Sequence, residues 1–156
     1  MSNVMRLQIG RYEFERVCAI ESVKNSDGSI SEFMPQSRYR NARGVPLNRY
    51  GAGPFCKFKI PNGRNICGVY AIAVENEVKY IGECVNLSSR YNMGYGNICP
   101  RNCFVGGQET NCRLINLILL ATRGGAKLSL WLLLTDKYKA VEHELRASEK
   151  PEWNRH

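Results

Sequence analysis

The chain has 156 residues, of which 44% are hydrophobic and 23% charged. This is a single-domain length that can bury a core without disulfide staples, and the composition excludes a disordered chain, a collagen and a membrane-embedded protein. The net charge is +8 and unevenly placed: residues 1–67 hold 11 Lys/Arg against 5 Asp/Glu, and residues 68–156 hold 11 against 9.

A basic segment beside a near-neutral one suits an arm that grips a polyanion; the bland counterpart is a solvated basic surface. The apolar runs Leu114–Ala121 and Leu128–Leu134 are broken by Arg123, Gly124, Gly125 and Lys127. Neither reaches the roughly 18 residues that a membrane span needs. The N-terminus lacks a basic start followed by an apolar stretch, so no signal peptide is expected and the cytoplasm is the expected location. Seven cysteines, an odd number, point to reduced thiols.

In chain order, Arg11–Val23 fits an alternating strand (Tyr12, Phe14) or a helical stripe (Phe14, Val17, Cys18, Glu21). Asn25–Ser29 is a turn. Residues 35–46 carry Arg38, Arg40 and Arg43 around Tyr39, and Asn48-Arg49-Tyr50-Gly51 follows. This segment is expected to be an ordered loop rich in phosphate-seeking groups. Phe55–Ile60 is strand-like, and Asn62-Gly63 predicts a hairpin into a second strand, Ile66–Val74. Glu75-Asn76-Glu77 turns the chain into a third, Val78–Gly82.

Asn86 can cap a short helix to Tyr91. Residues 92–108 are a glycine-containing loop. Thr110 can cap a buried helix to Thr122, stopped by Gly124-Gly125. Leu128–Thr135 predicts a central strand, and Tyr138–Ser148 a last helix closed by Pro151. The expected class is α+β: a small mixed or antiparallel central sheet flanked by helices, in the order β-β-α-α-β-α.

Gly68-Val69-Tyr70 and Tyr80-Ile81-Gly82 are separated by nine residues and fall on adjacent hairpin strands, which brings two tyrosines side by side. Arg90 stands eight residues beyond Gly82; Glu142 is followed by Pro151 at +9 and Asn154 at +12. The tripeptides with Arg90, Glu142 and Asn154, in this order and spacing, resemble the GIY-YIG nuclease superfamily over residues 68–154. The resemblance implies metal-dependent phosphodiester hydrolysis by a catalytic domain of residues 68–156. Residues 1–67 would be a basic extension continuous with its sheet and serve target recognition.

The resemblance assigns the catalytic set to Tyr70, Tyr80, Arg90, Glu142 and Asn154. A phenol serves as general base only where nearby positive charge lowers its pKa from about 10. Tyr70 and Tyr80 share that role. Glu142 is the expected ligand of one Mg2+ (or Mn2+) per site, a hard cation that often takes one or two carboxylates and keeps its waters. Arg90 would clamp a phosphate oxygen, and Asn154 would hold the C-terminal segment over the site. Many members carry Lys directly after the second tripeptide; here it is Glu83. Some carry His about four residues after the arginine; here it is Gly94.

The chain is most like a compact type II restriction endonuclease of that superfamily, acting on double-stranded DNA, as a homodimer where the target is palindromic. Arg38, Arg40, Arg43, Arg49 and Lys57, set among aromatic residues, are the expected DNA contacts. The alternative is a non-catalytic or structure-selective nucleic-acid-binding module of the same fold. His143 and His156 do not supply the placed histidine of an HNH nuclease or a Ser-His-Asp hydrolase. Cys99 and Cys103, with Cys84 and Cys112 at wider spacing, have an irregular zinc-ligand pattern; reduced thiols are the favoured reading.

Overall fold

The computed structural model describes residues 4–38 and 44–155. Its strands are β1 (Arg6–Ile9), β2 (Tyr12–Ile20), β3 (Glu32–Phe33), β4 (Phe55–Cys56), β5 (Gly68–Val74), β6 (Glu77–Cys84) and β7 (Leu128–Leu134). Its α-helices are α1 (Leu87–Ser89), α2 (Glu109–Arg123) and α3 (Tyr138–Glu149). Contacts divide the chain into two compact units. One draws on Met1–Ile20, Ile60–Arg90 and Ala126–His156, the other on Glu21–Lys59 and Tyr91–Gly125.

The first unit is built on a five-stranded sheet of order β1-β2-β7-β5-β6, with every neighbouring pair antiparallel. The class is α+β. Alternation settles the ambiguous segment after Arg11 in favour of a strand: Phe14 is fully buried while Glu13 and Glu15 are exposed. A register shift between Arg16 and Cys18 interrupts that alternation. Gly10 turns β1 into β2 at φ +57°, a conformation that glycine adopts at no steric cost.

The core of this unit joins Ile9, Phe14, Val69, Ala71, Ile81 and Trp131 from the strands to Val141 and Leu145 of α3. β5 lies between β6 and β7 and is buried at every residue from Gly68 to Ala73. Its odd-numbered residues join the α3 side of the core, so Tyr70 and Ile72 occupy the opposite face.

The hairpin expected at Pro61–Arg64 does not form. β5 has two edges, and β6 and β7 fill both. Phe55–Cys56 pairs with Glu32–Phe33, and beyond it the Lys57 carbonyl accepts from Val23 and the Phe58 N–H donates to Gly96. The backbone of the expected strand is therefore satisfied by pairing within the second unit.

In that second unit α2 packs on β4 and on a 3-10 turn, Pro100–Cys103, and Leu47 forms an isolated bridge with Phe104. Thr110 does not cap α2. The helix begins at Glu109, with Gln108 in the capping position and no side-chain cap bond. Its buried face is Asn111, Cys112, Leu114, Ile115, Ile118 and Leu119. Among the described residues no helix is long and apolar enough to cross a membrane.

Candidate active site

β5 and β6 are joined by the two-residue turn Glu75-Asn76, since Val74 pairs with Glu77. That turn and one register shift between Ile72 and Ala73 set Tyr70 opposite Gly82 and Tyr80 opposite Ile72. The two tyrosines thus stand diagonally across the ladder, within reach of large side chains. Their ring centroids are 6.2 Å apart at 29°, a stacked pair. Tyr70 is buried and Tyr80 half-buried. A Cβ added at Gly82 would fall on the ring and hydroxyl of Tyr70, so the absence of a side chain at residue 82 is what admits the phenol.

Asn154 is buried rather than a frayed tail. Its Oδ1 accepts from the Ile81 N–H at 2.9 Å, and its Nδ2 donates to the Ile81 carbonyl at 2.9 Å. Trp153 N–H donates to the Lys79 carbonyl at 2.8 Å. The C-terminal segment thereby runs along the edge strand β6 on both sides of Tyr80. The Lys79 ammonium, paired with both Glu77 and Glu152, adds a charged tie.

Asn86 caps α1, with its side chain accepting from Ser89 N–H at 3.0 Å. The next residue after the helix is Arg90, half-buried, whose N–H donates to the Asn86 carbonyl. Burial pushes the Cys84 thiol up to about 11, and the charge of Arg90 works against that shift. Arg90 follows six residues after Cys84, the last residue of β6.

Glu142 flanks the apolar stripe of α3, with its side chain only 16% exposed. Its partner is Arg146, one helical turn on, at 3.2 Å to Oε1, and Arg146 also donates to the Arg155 carbonyl at 2.7 Å. Glu144, on the other side of the helix, bonds Arg11 at 2.8 Å and Tyr12 at 3.1 Å; the Arg11 guanidinium holds its carboxyl below the usual range.

The structure thus brings Tyr70, Tyr80 and Asn154 together around β6 and puts Arg90 beyond its end. Glu142 is tied to the same C-terminal segment through Arg146, with no described hydrogen bond to the tyrosines. Among the described residues no group of three His, Cys, Asp or Glu is disposed to hold a metal ion. A ligand set of one carboxylate with retained waters would not need such a group. Glu142 suits that role chemically, because Arg146 engages Oε1 and Oε2 has no described hydrogen bond.

Ser88 is a further structural residue beside the site. It is buried; its Oγ accepts from Arg64 N–H and donates to the Pro61 carbonyl, and its N–H donates to the Arg64 carbonyl. It fixes the Pro61–Arg64 segment to the start of α1. Nothing in its local sequence signals this. Arg146, the partner of Glu142, is likewise absent from the sequence reading, although its i,i+4 spacing is a signal that could find it.

Of the expected DNA contacts, Arg49 is exposed, bonds Glu109 at 3.0 Å and lies 5.2 Å over the Tyr50 ring. Lys57 lies 4.6 Å over the Phe33 ring. Arg38 closes the 3-10 turn Pro35–Arg38, and Arg40 and Arg43 lie outside the described residues. Cys84 belongs to the sheet unit, and Cys99, Cys103 and Cys112 to the other. Cys112 and Cys103 sulfurs are 3.9 Å apart, and this contact pushes the Cys112 thiol up and draws the Cys103 thiol down. No protein-family model, no curated protein and no solved structure matches this chain.

Proposed function

We propose that the chain is a metal-dependent DNA endonuclease of the GIY-YIG kind, acting as a site-specific restriction enzyme. The observation that carries this reading is the stacked Tyr70–Tyr80 pair, seated over Gly82 and flanked by the Asn154–Ile81 tie. On this reading two phenols are held on one face by a rigid strand pair, and one of them takes the proton of the attacking water where the charge of Arg90 and of the cation favours the phenolate. Arg90 supplies the fork of donors that a phosphate oxygen accepts, and the ordered C-terminal segment fixes β6 beside them. Glu142 would hold one Mg2+ or Mn2+, which when bound polarises the phosphoryl oxygen and offsets charge on the leaving group.

The test is incubation of the purified protein with plasmid and phage DNA, with Mg2+ or with chelator. Discrete, Mg2+-dependent fragments are expected. Smearing would make the chain a nonspecific or structure-selective nuclease. Binding without any cutting, in Mg2+ and in Mn2+, would make it a nucleic-acid-binding module.

A further inference from the structure

The second unit carries most of the charge. Its stretches Glu21–Lys59 and Tyr91–Gly125 hold 10 Lys/Arg against 4 Asp/Glu, a balance of +6, which leaves +2 for the sheet unit. It also contains a groove of about 840 Å³, roomy enough for a small ligand. We propose that this groove, lined by Phe33, Met34, Lys57, Met93, Asn97 and Cys99, binds one unstacked nucleobase of a DNA strand, stacked on Phe33 with its phosphate on Lys57.

Phe33 is placed for this by its strand. β3 pairs with β4 so that Phe33 stands opposite Phe55, which is fully buried and meets it edge-on at 6.2 Å and 62°. The ring is thus fixed from behind while remaining half-exposed. Lys57 lies 4.6 Å over it and makes no ion pair among the described residues. Glu32 also lines the groove but is paired with Arg123, which leaves Lys57 as the uncompensated charge beside an aromatic surface among the described residues.

An exposed cation–π contact is weaker than base–aromatic stacking, so a base can displace the ammonium from the ring. The freed ammonium then pairs with the phosphate of the same nucleotide. Met34 and Met93, 43% and 77% exposed, supply polarisable walls that adapt to any base, and the exposed Asn97 offers a carboxamide donor and acceptor to its edge.

The proposal rests on the reading of this chain as a DNA-binding protein, and not on cleavage. Its test uses the full chain without divalent cations and a labelled single-stranded dodecathymidylate. Cys99 is exposed and lines the groove. Its alkylation by N-ethylmaleimide, read by peptide mass, should slow in proportion to the bound fraction. Phe33→Ala should weaken binding roughly 5- to 150-fold, while Phe33→Tyr, which keeps the ring, stays close to wild type. Lys57→Gln should flatten the log–log salt dependence by about 0.7.

Absence of binding, an unchanged Cys99 rate at saturating oligonucleotide, unchanged affinity in a folded Phe33→Ala protein, or equal competition by polyglutamate would each overturn it. If Phe33→Ala fails to fold, Cys99 protection in the unaltered chain decides. Plasmid cleavage is scored separately: cutting without Cys99 protection removes the groove and keeps the nuclease, and protection without cutting does the reverse.

Discussion

An added Cβ at Gly82 would fall among the ring atoms of Tyr70, so the strand pair accepts that phenol only because residue 82 has no side chain. Gly82→Ala should therefore destabilise the fold by about 1–3 kcal/mol, the usual range for overpacking a filled site. Displacing the phenol should lower cleavage well beyond what the lost stability explains. Gly94→Ala, where nothing lies within 4 Å of the new methyl, is the control and should change neither. Urea melts and cleavage at saturating DNA read both effects, and a fully active Gly82→Ala would remove Tyr70 from the chemistry. On the proposed nuclease reading, Glu142→Gln should abolish cleavage and leave DNA binding intact or slightly tighter, because the substitution would remove a metal ligand and a negative charge near phosphate together. It also removes the charge that Arg146 pairs with, but Gln keeps an oxygen that can accept from Arg146, and a thermal melt checks that the fold survives. Unfolding would not then explain the loss. Residual cutting above a few percent would exclude Glu142 as the metal ligand.

The tie between the C-terminal segment and β6 works as a missing strand would. Asn154 satisfies both backbone groups of Ile81, which β5 leaves free on the outer edge. Asn154→Ala should orphan both, at about 1–3 kcal/mol for each group left buried. Asn154→Asp keeps the acceptor but loses the donor, so it should be destabilised as well; a neutral result for Ala in thermal melts would show that water replaces the side chain. This role was not legible in the local sequence. Only the motif resemblance drew attention to Asn154, because its partner is 73 residues away. The Tyr70–Tyr80 pairing was legible, since a short turn between two strand-like runs fixes the register. The Asn62-Gly63 signal misled for the opposite reason. Its turn chemistry is local, but pairing is decided by which strands hold the edges of β5, and β7 comes about 60 residues later in the chain. The same non-local pairing of β2 with β7 chose strand over helix for residues 12–20.

At the scale of the whole molecule the sequence division at residue 67 meets a sheet that crosses it. β2 pairs with β7 from Glu15↔Leu132 to Ile20↔Leu128, and Ile9 and Phe14 belong to the core around α3. A fragment of residues 68–156 would uncover the inner edge of β7 and a core face, a ready template for aggregation. Such a fragment should show no cooperative melt; a folded, soluble one would mean that the β1–β2 hairpin is an accessory. Charge follows a different division, with +6 on the unit of Glu21–Lys59 and Tyr91–Gly125. Arg38, Arg40 and Arg43 fall in the Glu21–Lys59 stretch of that unit and supply half of the +6 balance. Replacing the three arginines by alanine should therefore weaken DNA binding and flatten its log–log salt dependence by up to about three, one condensed counterion per lost phosphate contact. Cleavage at saturating DNA should survive, since Tyr70, Tyr80, Arg90 and Glu142 all lie in the sheet unit. A lowered melting point with an unchanged salt slope would assign the three arginines to holding their own unit together and move the DNA contacts to Arg49, Lys57 and the groove beside Phe33.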